Sequence, residues 1–94
     1  MSKFKVAHIR EQGVNLIIIP LDTAFGRQSH SEQQGTMAAL QSAASSAGLA
    51  GTVVPVWLDG IRHSFIAPRQ WHAFFQSFSW NQIMANINKE LTVY

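Results

Sequence analysis

The sequence predicts an α+β domain in the order ββα–ββα, with a four-stranded, largely antiparallel sheet and helices packed mainly on one face. Two hairpin patterns lead to this class, since each places apolar runs of strand length on both sides of a short turn. A capped helix follows each hairpin, and hairpins joined by helices favour an antiparallel sheet. The chain has 94 residues, so residues 1–94 are expected to form a single domain.

The first half begins with an alternating strand over residues 3–9, followed by turn residues at 11–13. Apolar residues then occupy both odd and even positions of residues 14–21, which predicts a central strand buried on both faces. Ser29 and Glu32 have the spacing of a capping box, in which each side chain satisfies a backbone N–H of the other residue. Gly48 fits the left-handed residue that closes a helix. A helix is therefore expected between Ser29 and Gly48.

The second half repeats this pattern with a strand at residues 52–58. Pro55 indicates that this strand lies at an edge or carries a bulge, because proline cannot donate to a ladder. Asp59 and Gly60 predict a two-residue hairpin turn that leads into a strand at residues 61–67. A short aromatic helix is expected at residues 69–76. Ser79 and Gln82 form a second capping box, and a C-terminal helix is predicted from an apolar stripe at Trp80, Ile83, Met84, Ile87 and Leu91.

Apolar residues are abundant relative to charge. The hydrophobic fraction is 47% and the charged fraction is 13%, whereas soluble proteins carry about 25% charged residues. Both faces of the predicted sheet are apolar in the middle, which is typical of a surface that meets another chain. We therefore expect a homo-oligomer, with a dimer as the commonest closed form. The expected interface residues are Ile17, Ile19, Val54 and Val56.

Charge and cysteine usage exclude several classes of protein. The formal net charge is +2 with no clustering of the seven Lys and Arg residues, whereas a nucleic-acid surface normally needs a basic cluster. The absence of cysteine excludes a disulfide scaffold and any thiolate nucleophile or ligand. No apolar window is long enough for a membrane span, and the N-terminus reads into a strand rather than a signal peptide. A cytoplasmic location without a membrane partner is expected.

Motifs that would identify an enzyme are absent from the sequence. The four histidines show no HxH, HxxxH or HExxH spacing, so no metal site is expected. No nucleophile elbow, phosphate-binding loop or dinucleotide-binding glycine pattern occurs, and no cofactor is expected. The sequence thus favours a role without catalysis while leaving the question open.

Two loops that follow strands carry the best candidates for a ligand site. The first lies between the central strand and the N-terminus of the first helix, where backbone N–H groups favour anions. If the two halves are built alike, the second loop would approach the same edge of the sheet. The candidate anion ligands are Arg27, Ser29 and Arg69. The candidate catalytic groups are Asp22, His30 and His72.

Three functions follow from these observations. The first is a binding or interaction module that acts as a homo-oligomer and takes a protein or small-ligand partner. The alternative is a small anion-binding protein or enzyme that uses the loops around residues 22–30 and 69–72. Single-stranded nucleic-acid binding through the aromatic residues of segment 71–80 ranks third, because Arg69 is the only basic residue near them.

Overall fold

The computed structural model describes residues 2–93, which form one mixed sheet of five strands packed against three α-helices. The strands are β1 (Ser2–Glu11), β2 (Val14–Leu21), β3 (Thr52–Asp59), β4 (Arg62–Phe65) and β5 (Lys89–Val93). The helices are α1 (His30–Ser46), α2 (His72–Ser77) and α3 (Trp80–Ala85), with 3-10 turns at Thr23–Arg27 and Arg69–Trp71. None of the helices in this range is long and apolar enough to cross a membrane.

The strand order across the sheet is β4-β3-β2-β1-β5. The β1–β2, β3–β4 and β1–β5 pairs are antiparallel, whereas β2 and β3 are parallel and are joined through α1. The α+β class is confirmed. The prediction of four strands is corrected to five strands in a mixed sheet, because the chain returns after α3 to add β5 beside β1.

The first hairpin closes through a two-residue turn at Gln12 and Gly13. Both residues have positive φ, at 51° and 78°, and Glu11 pairs with Val14 across the turn. Two successive positive φ angles define the type I′ turn that matches the twist of a hairpin. The turn predicted at residues 11–13 is confirmed.

The second hairpin turns one residue later than the sequence predicts. Asp59 pairs with Arg62, so the loop consists of Gly60 and Ile61. Gly60 has a φ of 67° and Ile61 does not have a positive φ, which is the pattern of a type II′ turn with glycine first. Asp59 therefore belongs to the strand, and Ile61 moves from the predicted strand into the turn.

Pro55 explains this register. The carbonyl of Pro55 accepts a hydrogen bond from the backbone N–H of Ile66 at 3.1 Å, so its ring nitrogen also faces the β4 side of β3. β4 has already ended at Phe65, and the missing donor therefore interrupts no pairing with β2. The expectation of an edge strand is wrong, since β3 is paired on both sides.

The predicted C-terminal helix ends early. Helix α3 stops at Ala85, with Asn86 as its C-cap, and Leu91 lies in β5 rather than on the helix. Leu91 is buried beneath α1, and its strand pairs with the first half of β1 from Ser2 to Val6. Pairing of this segment with β1 buries Leu91 and satisfies backbone groups that a longer helix would leave open at the edge of the sheet.

Helices cover both faces of the sheet, which corrects the expectation that they lie mainly on one. Leu40 and Ala44 of α1 pack on one face, and Phe75 of α2 and Ile83 of α3 pack on the other. The capping boxes at the starts of α1 and α3 are both confirmed. We call these two surfaces the α1 face and the α2–α3 face.

Candidate functional site

The four residues expected to form an interface are enclosed within one chain. Ile17 and Ile19 pack in the cluster beneath α1, and Val54 and Val56 pack in the cluster beneath α2 and α3. All four have no exposed surface. Because solvent-inaccessible side chains cannot form a contact between folded copies, this expectation is corrected. The apolar character of both faces reflects helices on both sides of the sheet.

The loop after β2 uses its polar side chains to build local structure. Oδ1 of Asp22 accepts the backbone N–H of Ala24 at 2.9 Å and caps the 3-10 turn. Oγ of Ser29 accepts the backbone N–H of Glu32 at 3.1 Å, and Oε1 of Glu32 accepts that of Ser29 at 3.1 Å. Hydrogen bonds from the Ser29 backbone and hydroxyl group hold the pKa of Glu32 below its usual range. Asp22 and Ser29 therefore both have structural roles as caps.

The side chain of His72 stabilises the segment that leads into α2. Its Nε2 lies 3.0 Å from the carbonyl oxygen of Ala67, to which it donates, and its ring meets Phe65 edge-on at 5.5 Å between centroids. His30 is the first residue of α1 and is exposed, with no side-chain hydrogen bond found within residues 2–93. The two histidines lie in different parts of the fold, so their positions do not form a common acid–base pair.

The two candidate loops lie on opposite faces of the sheet. Phe25 packs edge-on against Trp57 at 5.0 Å, and Trp57 shares its side of β3 with Val53 on the α1 face. In contrast, Trp71, which closes the turn that begins at Arg69, packs in the cluster on the α2–α3 face. Arg27 and Arg69 thus do not converge on one anion, although the sequence pattern suggested it.

The second hairpin exposes an apolar tip beside a groove. The side chain of Ile61 is fully exposed, with a relative exposure of 101%, and Leu58 is exposed to 36%. A cavity of about 400 Å³ opens between this hairpin and the start of α3. We call it the hairpin-tip groove, and its lining consists of Leu58, Ile61, His63, Gln76, Ser79, Trp80 and Asn81.

A partly buried hydrogen bond joins the two walls of the hairpin-tip groove. Nε2 of His63 in β4 donates to the carbonyl oxygen of Phe75 in α2 at 2.8 Å. Phe75 has no exposed surface and packs against Phe65 and Phe74 at ring distances of 5.3 and 5.1 Å. The groove is therefore a preformed surface between fixed elements, which suits the binding of an apolar side chain.

The sequence pattern did not predict that Ile61 is exposed, although Pro55 restricts the register of the hairpin in a way that indicates it. A turn at Asp59 and Gly60 would shift the register by one residue and direct the ring nitrogen of Pro55 into the ladder with β2. A turn at Gly60 and Ile61 avoids that loss. Considering Pro55 together with the turn would have placed Ile61 at the tip of the hairpin.

A smaller crevice lies at the carboxyl ends of the two parallel strands. Its volume is about 140 Å³, and Arg27 and Asp59 bring opposite charges to it.

Within residues 2–93, no group of three or more His, Asp or Glu side chains is placed to hold a metal ion.

Comparison with known proteins found no relative. No protein-family model matches this sequence, and no curated protein or solved structure matches it either.

Proposed function

We propose that this chain is a protein-interaction module that works as a homo-oligomer, and that its copies meet at the hairpin-tip groove. The full exposure of Ile61 is the observation that carries the proposal. Hairpin turns are usually built from glycine, asparagine, aspartate or serine, because these residues suit the backbone angles or bond to it. A bulky β-branched residue contributes nothing to such a turn, whereas an exposed apolar cluster is typical of a binding surface.

The groove supports a second copy of this chain as the partner. A two-fold contact needs a projection and a recess on the same surface, so that each copy receives what it offers. Ile61 projects from the hairpin and also lines the groove, with Trp80 on the far wall. Ile61 of each copy can therefore enter the groove of the other.

The energetics favour a reversible contact. Removing one isoleucine side chain from water contributes about 1.5–3 kcal/mol, and a two-fold contact contains two of them. Partial burial of Leu58 and Trp80 adds to this, while association has its own cost in lost motion. The gain in free energy therefore exceeds the cost only slightly, and the dimer is expected to be weak and to exchange with the monomer.

Low charge removes one barrier to self-association. Two copies that each carry a formal charge of +2 repel each other little at physiological salt. His63 is the only ionisable residue in the lining of the groove. A groove whose lining carries no Lys, Arg, Asp or Glu favours contact between like copies over contact with a strongly charged partner.

The other two functions have less support. The separation of Arg27 and Arg69 on opposite faces weakens a two-arginine anion site. The aromatic segment has few faces on which bases could stack, since Trp71 and Phe75 are buried. The groove therefore remains the best supported candidate.

Sedimentation equilibrium at several protein concentrations tests the proposal. Wild-type chain is expected to show a monomer–dimer equilibrium, and Ile61→Asp is expected to sediment as a monomer throughout. Aspartate is accepted in turns, so this change should leave the fold intact. Val14→Asp is the matched control, because Val14 is also an exposed β-branched residue (40%) beside the other hairpin turn. A wild type that remains monomeric at millimolar concentration, or equal effects of both changes, overturns the proposal.

A further inference from the structure

A small crevice of about 140 Å³ lies on the α1 side of the sheet, at the carboxyl ends of the parallel strands. It lies beside the 3-10 turn, where β2 has just ended and β3 is about to turn into β4. We call it the Arg27 crevice. Its lining consists of Thr23, Gly26, Arg27, Trp57, Leu58 and Asp59.

Strand topology explains why a recess forms here. After β2 the chain leaves the sheet through the 3-10 turn towards α1, whereas β3 continues through a two-residue hairpin into β4 within the sheet. The 3-10 turn packs on the α1 side of the end of β3, and a small recess remains between the turn and the strand. The recess lies at the end of the parallel pair, where Leu21 and Trp57 are register partners.

The floor of the crevice is firmly packed. The indole of Trp57 is buried against Phe25, which meets it edge-on at 5.0 Å. Gly26 lies so close to this indole that a Cβ atom would overlap Nε1 and Cδ1 of the ring. The 3-10 turn therefore rests directly on Trp57, and the shape of the recess is set before any ligand arrives.

Two opposite charges line the crevice without neutralising each other. Across residues 2–93 the one ion pair within 4.0 Å joins Lys3 to Glu90, so the guanidinium of Arg27 and the carboxylate of Asp59 are not in contact. Both side chains are exposed. A ligand can therefore reach each charge at no cost of breaking an internal pair.

We propose that the Arg27 crevice binds the zwitterionic head of a free α-amino acid. The guanidinium of Arg27 has the fork geometry that accepts a carboxylate through two hydrogen bonds, and the carboxylate of Asp59 accepts the ammonium group. A volume of about 140 Å³ corresponds to four or five water molecules at about 30 Å³ each. That space suits glycine or alanine, and a longer side chain would extend through the open mouth into solvent.

The pair of charges argues against a simple anion. Asp59 would repel a phosphate or carboxylate that carried no positive group, and Arg27 would repel a simple amine in the same way. Only a small molecule with both charges satisfies both residues. This inference is independent of the hairpin-tip groove, because Ile61 and Trp80 do not line the crevice.

Titration calorimetry and amide chemical shifts with glycine, L-alanine, acetate and methylammonium test the inference. Glycine and L-alanine are expected to bind saturably in the millimolar range, with shifts centred on Gly26, Trp57 and Asp59. Acetate and methylammonium should bind at least about tenfold more weakly. Arg27→Gln and Asp59→Asn should each weaken glycine binding about three- to tenfold, since each removes one charge-assisted contact near the surface.

Arg10→Gln is the matched control, because Arg10 is an exposed arginine that pairs with Asn15 at the opposite ends of the strands. It should leave glycine binding unchanged, as should Ile61→Asp. The amide spectrum of each variant verifies that the fold is retained. Absence of saturable glycine binding, equal affinity for acetate, or full affinity in Arg27→Gln would each overturn the inference.

Discussion

The side-chain amide of Asn88 pairs with the backbone of His8 as a neighbouring strand would. Nδ2 of Asn88 donates to the carbonyl oxygen of His8 at 2.9 Å, and Oδ1 accepts the backbone N–H of His8 at 2.8 Å. The pairing between β1 and β5 ends at Val6, whose carbonyl accepts the backbone N–H of Asn88 at 3.0 Å. One residue thus extends the edge of the sheet by a further pair of hydrogen bonds.

Replacement of Asn88 tests this contact. Asn88→Ala removes both side-chain bonds and is expected to lower the free energy of unfolding by about 0.5–2 kcal/mol, as the site is exposed. Asn88→Asp keeps the acceptor but turns a carboxylate towards the carbonyl of His8, so it should be at least as harmful at neutral pH. Urea unfolding measures both changes. Asn81→Ala is the control, and an equal loss there would show that the amide pairing contributes nothing specific.

The two capping boxes should respond differently to acid. The pKa of Glu32 in the folded chain lies below its ordinary value of 4.5, so its contribution to stability is present above that pH. It is lost as the pH falls through the lowered folded value. Glu32→Gln is therefore expected to be less stable than wild type at pH 7, and the difference in stability should shrink as the pH falls from 4.5 through the lowered folded pKa.

The capping box at the start of α3 allows the opposite substitution, from Gln to Glu. Ser79 and Gln82 form the same geometry without a charge, with Oε1 of Gln82 accepting the backbone N–H of Ser79 at 2.8 Å. Gln82→Glu should introduce an acid-sensitive contribution where wild type has none from this site. Thermal unfolding from pH 3 to pH 7 measures both variants. A gap between wild type and Glu32→Gln that does not change with pH contradicts the explanation.

Substitutions at Ile19 test whether this residue lies in the core of one chain or at an interface between chains. Ile19→Lys places an ammonium group beneath α1, where it has no partner and no water, so cooperative unfolding is expected to be lost. Ile19→Val should cost only about 0.5–1.5 kcal/mol. Circular dichroism and urea unfolding separate these outcomes. A folded, monomeric Ile19→Lys chain would mean that this face is accessible after all.

Gly26 and Gly35 form a matched pair of substitutions. Gly26→Ala drives a methyl group into the indole of Trp57 and is expected to lower stability by about 1–3 kcal/mol, with a change in Trp57 emission. Gly35 lies inside α1 with nothing within 4 Å of an added Cβ. Gly35→Ala should therefore raise stability by about 0.5–1 kcal/mol. Equal effects on urea unfolding would contradict the close packing of Gly26 on Trp57.

Local signals in the sequence were sufficient to predict the elements whose ends are fixed by capping residues or turn residues. The capping residues Ser29 and Ser79 mark the starts of α1 and α3, and the turn at Gln12 and Gly13 follows from glycine between two apolar runs. Strand pairing over long distances was not accessible in this way. Leu91 continues the helical spacing of Ile83 and Ile87, and nothing within its own segment reveals that it pairs with Phe4 at the other end of the chain.

The surroundings of Arg27 were harder to predict than the secondary structure, for a related reason. The sequence offered Arg27 and Arg69 together as candidate anion ligands, because the two halves were assumed to be alike. Asp59, which shares the crevice with Arg27, was assigned wholly to the turn. Asp59 lies in β3 because the register of β3 and β4 is shifted by one residue from the predicted one. Only tertiary pairing fixes that register.

If copies of this chain meet at the hairpin-tip groove, the indole N–H signal of Trp80 should depend on protein concentration. The chain has three tryptophans, and Trp57 and Trp71 are buried, so the Trp80 signal reports on the groove. Between 20 µM and 1 mM chain it is expected to shift together with the amides of residues 60–63, and Ile61→Asp should abolish the shift. A Trp80 signal that stays fixed over this range would show that the groove does not bind a second copy.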